Sequence, residues 1–278
     1  MLIHEMPMDA YREWDAISAS DLKNFARSAA YAKLRPAISS ESLEWGTAVH
    51  TAVLEPHELD RRYGIDPESP KGGYPAGWRN TKDYKEQRAA ALERPGVVGL
   101  LTSQQRQDLY RIADNVAQND IGKKLHELRG HRESSLFFGG CKVRPDWLIP
   151  DARMIVDVKT ARDWRPGSFA RACAQYQYHV SDAFYRDTFN AWDEAGGEIE
   201  IDHYVYLVIA ADAPYEVASY TLDHDSVEQG RAVYQRLLAG YRSCKESGIW
   251  PGGSDKIQEI RLPEYAIDYY KEGEGEGW

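Results

Sequence analysis

The chain has 278 residues and a formal net charge of −10, which excludes a protein that coats nucleic acid by bulk attraction alone. An apolar content of 42% excludes a disordered chain, and the length allows two domains or, as read here, one elaborated domain spanning residues 1–278. The three cysteines (Cys141, Cys173 and Cys244) are too scattered for a zinc site or a disulfide framework, and they fit a reducing, cytoplasmic setting. No secretory signal is visible at the start, and the longest apolar run, Tyr204 to Ala211, is too short to span a bilayer.

Taken in order, residues 1–16 read as a loose arm. A helix is expected from Ile17 to about Lys33, with Ser18 or Ser20 as its cap and Leu22, Phe25 and Ala29 on one face. Two accounts fit its start: a capped surface helix, or free N–H groups that hold a DNA phosphate. A second helix is expected over Ser39 to Leu54. Trp45, Val49 and Val53 give its buried stripe, and His50 lies beside that stripe. Asp66 to Arg94 is rich in Gly, Pro and charge. It reads as an exposed mobile loop, or as a flap in which Lys71, Arg79, Lys82, Lys85 and Arg88 touch phosphates while Tyr74 and Trp78 stack on bases. Thr102 to Arg129 reads as one long amphipathic helix with Leu109, Ile112, Val116 and Leu125 inward. The helical N-terminal part thus covers residues 17–130.

The sheet is expected to begin at Glu133 to Phe138 and continue as a hairpin. Its arms are Cys141–Pro150 and Arg153–Thr160, joined by Asp151-Ala152. Alternate residues of a strand share a face, so Asp157 and Lys159 point the same way, roughly 7 Å apart. With Pro150 opposite Arg153, Asp146 falls across from Asp157, roughly 5 Å away at Cβ. Two carboxylates that close repel each other unless a cation lies between them. Hard oxygen donors select Mg²⁺, or Mn²⁺, and a lysine beside a metal-bound water completes the parts for phosphodiester hydrolysis. Charges on an exposed hairpin are the plainer account of the same spacing. Ile155, Val156 and Val158 speak against it, because they make the second arm an interior strand.

A helix is expected from about Phe169 to Ala191, with Tyr176, Tyr178 and Tyr185 along it. Strands follow at Ile201–Ala211 and Tyr215–Leu222. The first is apolar enough for the interior of a sheet. A closing helix spans Asp225–Glu246, with Val233, Leu237 and Leu238 inward. Residues 249–278 read as a tail, and Lys271 to Gly277 has the composition of disorder.

Pro145-Asp146, ten residues, then Asp157-Val158-Lys159 matches the PD-(D/E)XK nuclease signature. Trp45-Gly46-Thr47-Ala48-Val49-His50 with Leu54-Glu55-Pro56, and Tyr178 to Tyr185, resemble the histidine motif and following helix of the RecE (exonuclease VIII) type of phage recombination exonuclease. The resemblance runs from about Ile17 to Ile209. It implies an α/β fold: a restriction-endonuclease-like core with a mixed central sheet flanked by helices. It also implies His50 and Glu133 as metal-site members beside Asp146, Asp157 and the Val158 carbonyl, with one or two Mg²⁺ ions and Lys159 acting on water. The Ile-Ser-Ala-Ser segment with Ser18 and Ser20 is implied near the DNA end. Relatives in the wider RecB-like group carry Gln-xxx-Tyr on the following helix; here Ser181 stands in place of that Gln, and Tyr185 is kept.

The implied activity is 5′→3′ digestion of double-stranded DNA ends to leave 3′ single strands for recombination. A homo-oligomeric ring, trimer or tetramer, and a RecT-like annealing partner go with it. Two rivals share the fold: an endonuclease or structure-specific nuclease, and a non-catalytic DNA-binding or phage assembly protein. An iron–sulfur nuclease is disfavoured, because three dispersed cysteines cannot supply four clustered thiolates.

Overall fold

The structure, a computed structural model, describes residues 1–36, 41–254 and 256–264. Residues 1–16 are not the loose arm that composition suggests. They form strand β1 (Leu2–Ile3) and helix α1 (Met8–Glu13). Strand β1 pairs antiparallel with Leu136 and Ser135. The Lys142 ammonium, on a residue only 6% exposed, donates to the carbonyls of Tyr11, Arg12 and Trp14 at 2.8–3.0 Å. Those carbonyls replace the water that the ammonium gives up on burial. The anchor lies far along the chain, so nothing local announces it.

The helix expected from Ile17 to Lys33 is two helices, α2 (Ala19–Arg27) and α3 (Ala29–Leu34). Ser28 has an extended backbone and caps α3 by accepting from the Tyr31 N–H at 3.0 Å. Helix α4 (Glu41–Leu54) buries Ala48, Val49, Ala52 and Val53. Ser39, where that helix was expected to begin, lies outside the described residues, as does the tail segment Lys271–Gly277.

Helix α5 (Leu59–Arg62) leads into strand β2 (Tyr63–Ile65), which pairs parallel with β3 (Gly99–Leu101). Between them lies α6 (Lys82–Leu92), capped by Thr81. The stretch read as a mobile loop or flap is instead folded around Asp66, 6% exposed. Its carboxylate accepts from Tyr84 Oη at 2.9 Å and Arg79 at 3.1 Å, and its carbonyl accepts from Tyr74 Oη at 2.8 Å. Trp78 is buried and donates to the Pro67 carbonyl at 2.9 Å. Its indole belongs to this small core and is not free to stack on a base.

The long helix after Thr102 divides into α7 (Ser103–Gln118) and α8 (Asp120–Glu127), because Asn119 leaves the helical conformation and caps α8. Leu109, Ile112, Val116 and Leu125 are buried as their spacing requires. Strands β4 (His131–Arg132), β5 (Ser135–Phe138), β6 (Cys141–Val143), β7 (Trp147–Ile149) and β8 (Met154–Ala161) follow. Then come α9 (Pro166–Gln175), α10 (Tyr178–Glu194), β9 (His203–Ala210), β10 (Val217–Tyr220) and α11 (His224–Ser247). The single helix expected over Phe169–Ala191 is therefore α9 and α10, separated at Gln177 in the left-handed region (φ 53°).

A mixed five-stranded sheet runs β10-β9-β8-β7-β4, with β8 and β9 parallel and the other pairs antiparallel. A second sheet runs β1-β5-β6. The arm Cys141–Pro150, expected as one strand, is two strands in different sheets: β6 pairs with β5, and β7 with β8. Pro145 lies at the break, where its missing N–H interrupts a ladder. Glu133, at φ 52°, makes the corresponding turn between β4 and β5.

Helices cover both faces of the five-stranded sheet, which makes the fold α/β as expected. Ile155, Tyr204, Tyr206 and Val208 pack toward α2, α9, α10 and α11, while Val156, Val158, Leu207 and Ile209 pack toward α4 and α7. By alternation, Asp157 and Lys159 belong to the first of these faces. Among the described residues no helix is long and apolar enough to cross a membrane.

Helix α11 crosses α10 at Gly230, where a Cβ would lie 2.1 Å from the His179 carbonyl oxygen. Gly230→Ala is expected to cost about 1–3 kcal/mol. In urea this reads as a lower unfolding midpoint at unchanged slope.

Candidate active site

The pairing of β7 with β8 sets the site. Trp147 is opposite Val156, Leu148 opposite Ile155 and Ile149 opposite Met154. Continued by one residue, that register puts Asp146 across from Asp157, as the hairpin arithmetic requires. The connection itself is a single 3₁₀ turn, Pro150–Ala152, closed by Arg153 in the left-handed region. Both Asp side chains are only 14% exposed.

The two carboxylates are held differently. Asp146 Oδ2 accepts the Val158 N–H at 2.7 Å and lies 3.5 Å from His50 Nδ1. Its backbone carbonyl accepts the Glu133 N–H at 3.2 Å. Asp157 is ion-paired with the Lys159 ammonium. Lys159 Nζ also lies 3.4 Å from the Val158 carbonyl and 5.2 Å from the centroid of the Tyr178 ring. One ligand atom each from His50, Glu133 and Asp146 lies within 4.8 Å of the others. Asp157 stands beside this trio rather than in it, because its carboxylate is turned to Lys159.

Glu133 is aimed by Arg144. The guanidinium donates to Glu133 Oε2 at 2.6 Å, to the Met6 carbonyl at 2.8 Å and to Ser135 Oγ at 2.9 Å. Tyr185, on α10, donates to the Arg144 carbonyl at 3.3 Å, so it supports the crossing point of the two sheets.

The crowding of charge at this point shifts the pKa of each group. Burial opposes ionisation of Asp146, but His50, Lys159 and the Val158 N–H outweigh it and hold the carboxyl below its usual range. Burial and the Asp146 charge push Asp157 up, against the pull of Lys159. Burial and Asp146 likewise push Glu133 up, despite Arg144. His50 is pulled down by burial and lifted further by Asp146, ending above the ordinary imidazole range. Lys159 follows the same pattern: burial lowers it, and the two aspartates raise it above its usual value.

Carboxylate oxygens with one imidazole nitrogen form a donor set suited to Mg²⁺ or Mn²⁺. Each carboxylate has two oxygens, so a hydrogen bond to one leaves the other for an ion. The repulsion that raises Asp157 and Glu133 is what a divalent cation would relieve. The residues present therefore fit such an ion.

The other residues singled out from sequence are placed elsewhere or already engaged. Ser18 is the cap of α2: its hydroxyl accepts from the Asp21 N–H at 3.2 Å, and the Asp21 carboxylate takes the Ser18 N–H at 2.9 Å. An acid thus sits where a phosphate was considered. Ser20 is exposed on the first turn of α2. Arg79 is bound to Asp66, and Lys82 pairs with Glu86 at 3.5 Å on α6, a helix packed on β2 and β3. Sequence reasoning missed the orienting role of Arg144, although it stands directly before the Pro145-Asp146 pair.

A family model described as a PDDEXK-like domain of unknown function (DUF3799) matches residues 18–263. Among solved structures, the "Putative exonuclease" of Eubacterium rectale is 12% identical, with a TM-score of 0.57 over 95% of this chain and 98% of that one. At that identity the likeness speaks to the fold alone. The phage related exonuclease of Haemophilus somnus 129PT is 10% identical over 72% of this chain and 95% of its own, and its TM-score of 0.33 is too low to bear on the fold. No curated protein matches the sequence. The family match spans His50, Glu133, Asp146, Asp157 and Lys159 alike, and the chain belongs to the family of PDDEXK-like domains of unknown function (DUF3799), within the PD-(D/E)XK nuclease superfamily.

Proposed function

We propose that the protein is a divalent-metal-dependent DNA exonuclease that digests double-stranded ends. The observation that carries this reading is the meeting of Asp146, Asp157, Glu133, His50 and Lys159 at the crossing point of two sheets. When bound, Mg²⁺ or Mn²⁺ supplies charge neutralisation at the attacked phosphate and acidifies water. Asp146, Glu133 and His50 would hold the ion, helped by Asp157 and the Val158 carbonyl. The backbone N–H of Val158 and the imidazole of His50 fix the Asp146 carboxylate in its aim. Lys159, charged and tethered by Asp157, orients water and lends positive charge to the phosphate oxygens.

Polarity from 5′ to 3′, a product with 3′ single strands, and a part in phage-type recombination beside a RecT-like annealing protein are the finer form of the proposal. They are supported by the resemblance of the motifs around His50 and Tyr185 to RecE-type enzymes. A homo-oligomeric ring fits the net charge of −10, since only a central channel need be basic. The proposed place of action is the cytoplasm of a bacterial or phage-infected cell, where the free thiols of Cys141, Cys173 and Cys244 stay reduced.

End-labelled linear duplex tests the reading directly. The wild type should release nucleotides with Mg²⁺ or Mn²⁺, stop in EDTA, and spare closed circles. Lys159→Ala should slow release on the order of 10²–10⁴-fold while calorimetry still detects Mn²⁺ binding, whereas Asp146→Asn should lose both. A wild type that releases nothing in either metal would refute it.

His50 gives a test that needs no turnover. Its raised pKa in the fold means that its imidazolium stabilises the metal-free protein below the ordinary imidazole range, and that this is lost as pH rises through the raised value. In EDTA, the gap in melting temperature between wild type and His50→Gln should be fully open below the ordinary imidazole pKa of about 6.5 and close as pH rises through the raised value. A gap independent of pH would separate His50 from Asp146.

A further inference from the structure

We propose that Lys23 binds a backbone phosphate of the nucleic acid next to the phosphate that is cut, a role that rests on the nuclease reading above. Lys23 lies on α2, which packs against α10 and α11. Its ammonium is 5.5 Å from the centroid of the Tyr178 ring, and the Lys159 ammonium is 5.2 Å from that same centroid. Two cations therefore share one aromatic ring at the edge of the candidate active site.

The chain gives its other inward lysines a partner. Lys142 has three carbonyls, and Lys159 has Asp157. Among the described residues Lys23 has neither a carboxylate within 4.0 Å nor a hydrogen-bond acceptor, and is left with the face of Tyr178. Burial, then repulsion by Lys159, draw its pKa down to about 8, and Asp157 offsets this only in part. An ammonium turned inward to the same ring as a second cation, with no anion of its own, costs the fold stability. An arriving anion removes that cost. A strand whose phosphate lies at Lys159 carries another phosphate one nucleotide away, and phosphates are the groups that lysines neutralise on nucleic acids.

The start of α2 is closed to a phosphate by the Asp21 carboxylate. Lys23, two residues further along, presents a cation from the same short stretch. The competing account is purely structural: an aliphatic stem laid on Tyr178, with the charge incidental.

Lys23→Met separates the two, because methionine keeps the stem and removes the charge. Without DNA the variant should melt at or above the wild-type temperature, since an uncompensated cation has gone. Binding to linear duplex, measured in EDTA so that no turnover intervenes, should weaken about tenfold. The slope of log affinity against log salt should shrink in magnitude by about 0.7–0.9, as expected when the protein neutralises one phosphate fewer. Lys23→Arg should restore both affinity and slope. Wild-type affinity and slope in Lys23→Met would overturn the proposal. So would a fall in melting temperature with affinity that Lys23→Arg leaves unrestored. The nuclease reading fails separately, if wild-type protein binds duplex with this Lys23 dependence but releases no nucleotide with Mg²⁺ or Mn²⁺.

Discussion

Asp146, directly before β7, lies across from Asp157 on β8, both largely buried, and the site is arranged around their mutual repulsion. The compensations are unequal. Asp146 receives a backbone N–H and an imidazole, and stays ionised readily. Asp157 receives a single ammonium, and burial with the Asp146 charge keeps its carboxyl above its usual range. A pair of acids driven apart in this way is a common mark of a working site rather than of a scaffold. A scaffold gains more from apolar residues of the same volume.

The fold makes that cost bearable by choosing where it falls. Strand β8 is the central strand of its sheet, and Ile155, Val156 and Val158 are fully buried on its two faces. Asp157 is thus mounted on a strand buried on both faces, and Asp146 stands beside it at the point where β6 and β7 part company. Glu133 stands at the second such departure, between β4 and β5. Two places where the backbone leaves one sheet for another supply the groups that gather with His50. A continuous ladder would have used those backbone groups for pairing and sent the side chains to alternate faces.

The legible part of the site was local. Period-two patterning and the short Pro150-Asp151 connection fixed which residues of the hairpin oppose each other, so the Asp146–Asp157 relation followed by counting. Helical spacing gave the buried stripe of α4 and, with it, the placing of His50 at its edge. What stayed hidden was set by distant partners. Nothing near Met1 reveals that Lys142 will capture three carbonyls there. The composition of Asp66 to Arg94 resembles that of a disordered loop, because one buried acid, not an apolar stripe, organises it. Helix breaks at Ser28, Asn119 and Gln177 were missed for another reason: the apolar period continues across each, while one residue changes the direction of the chain.

Arg144 ties the N-terminal arm to the site. One guanidinium grips Glu133 with one edge and the carbonyl of Met6 with another. The docking of the first strand and the aim of an acid in the cleft are therefore a single mechanical variable. Were the leading residues to leave the sheet, Arg144 would lose an acceptor and Glu133 a firm mount. The front edge of the chain thus serves as a strap on the candidate site, although it contributes no chemical group to it.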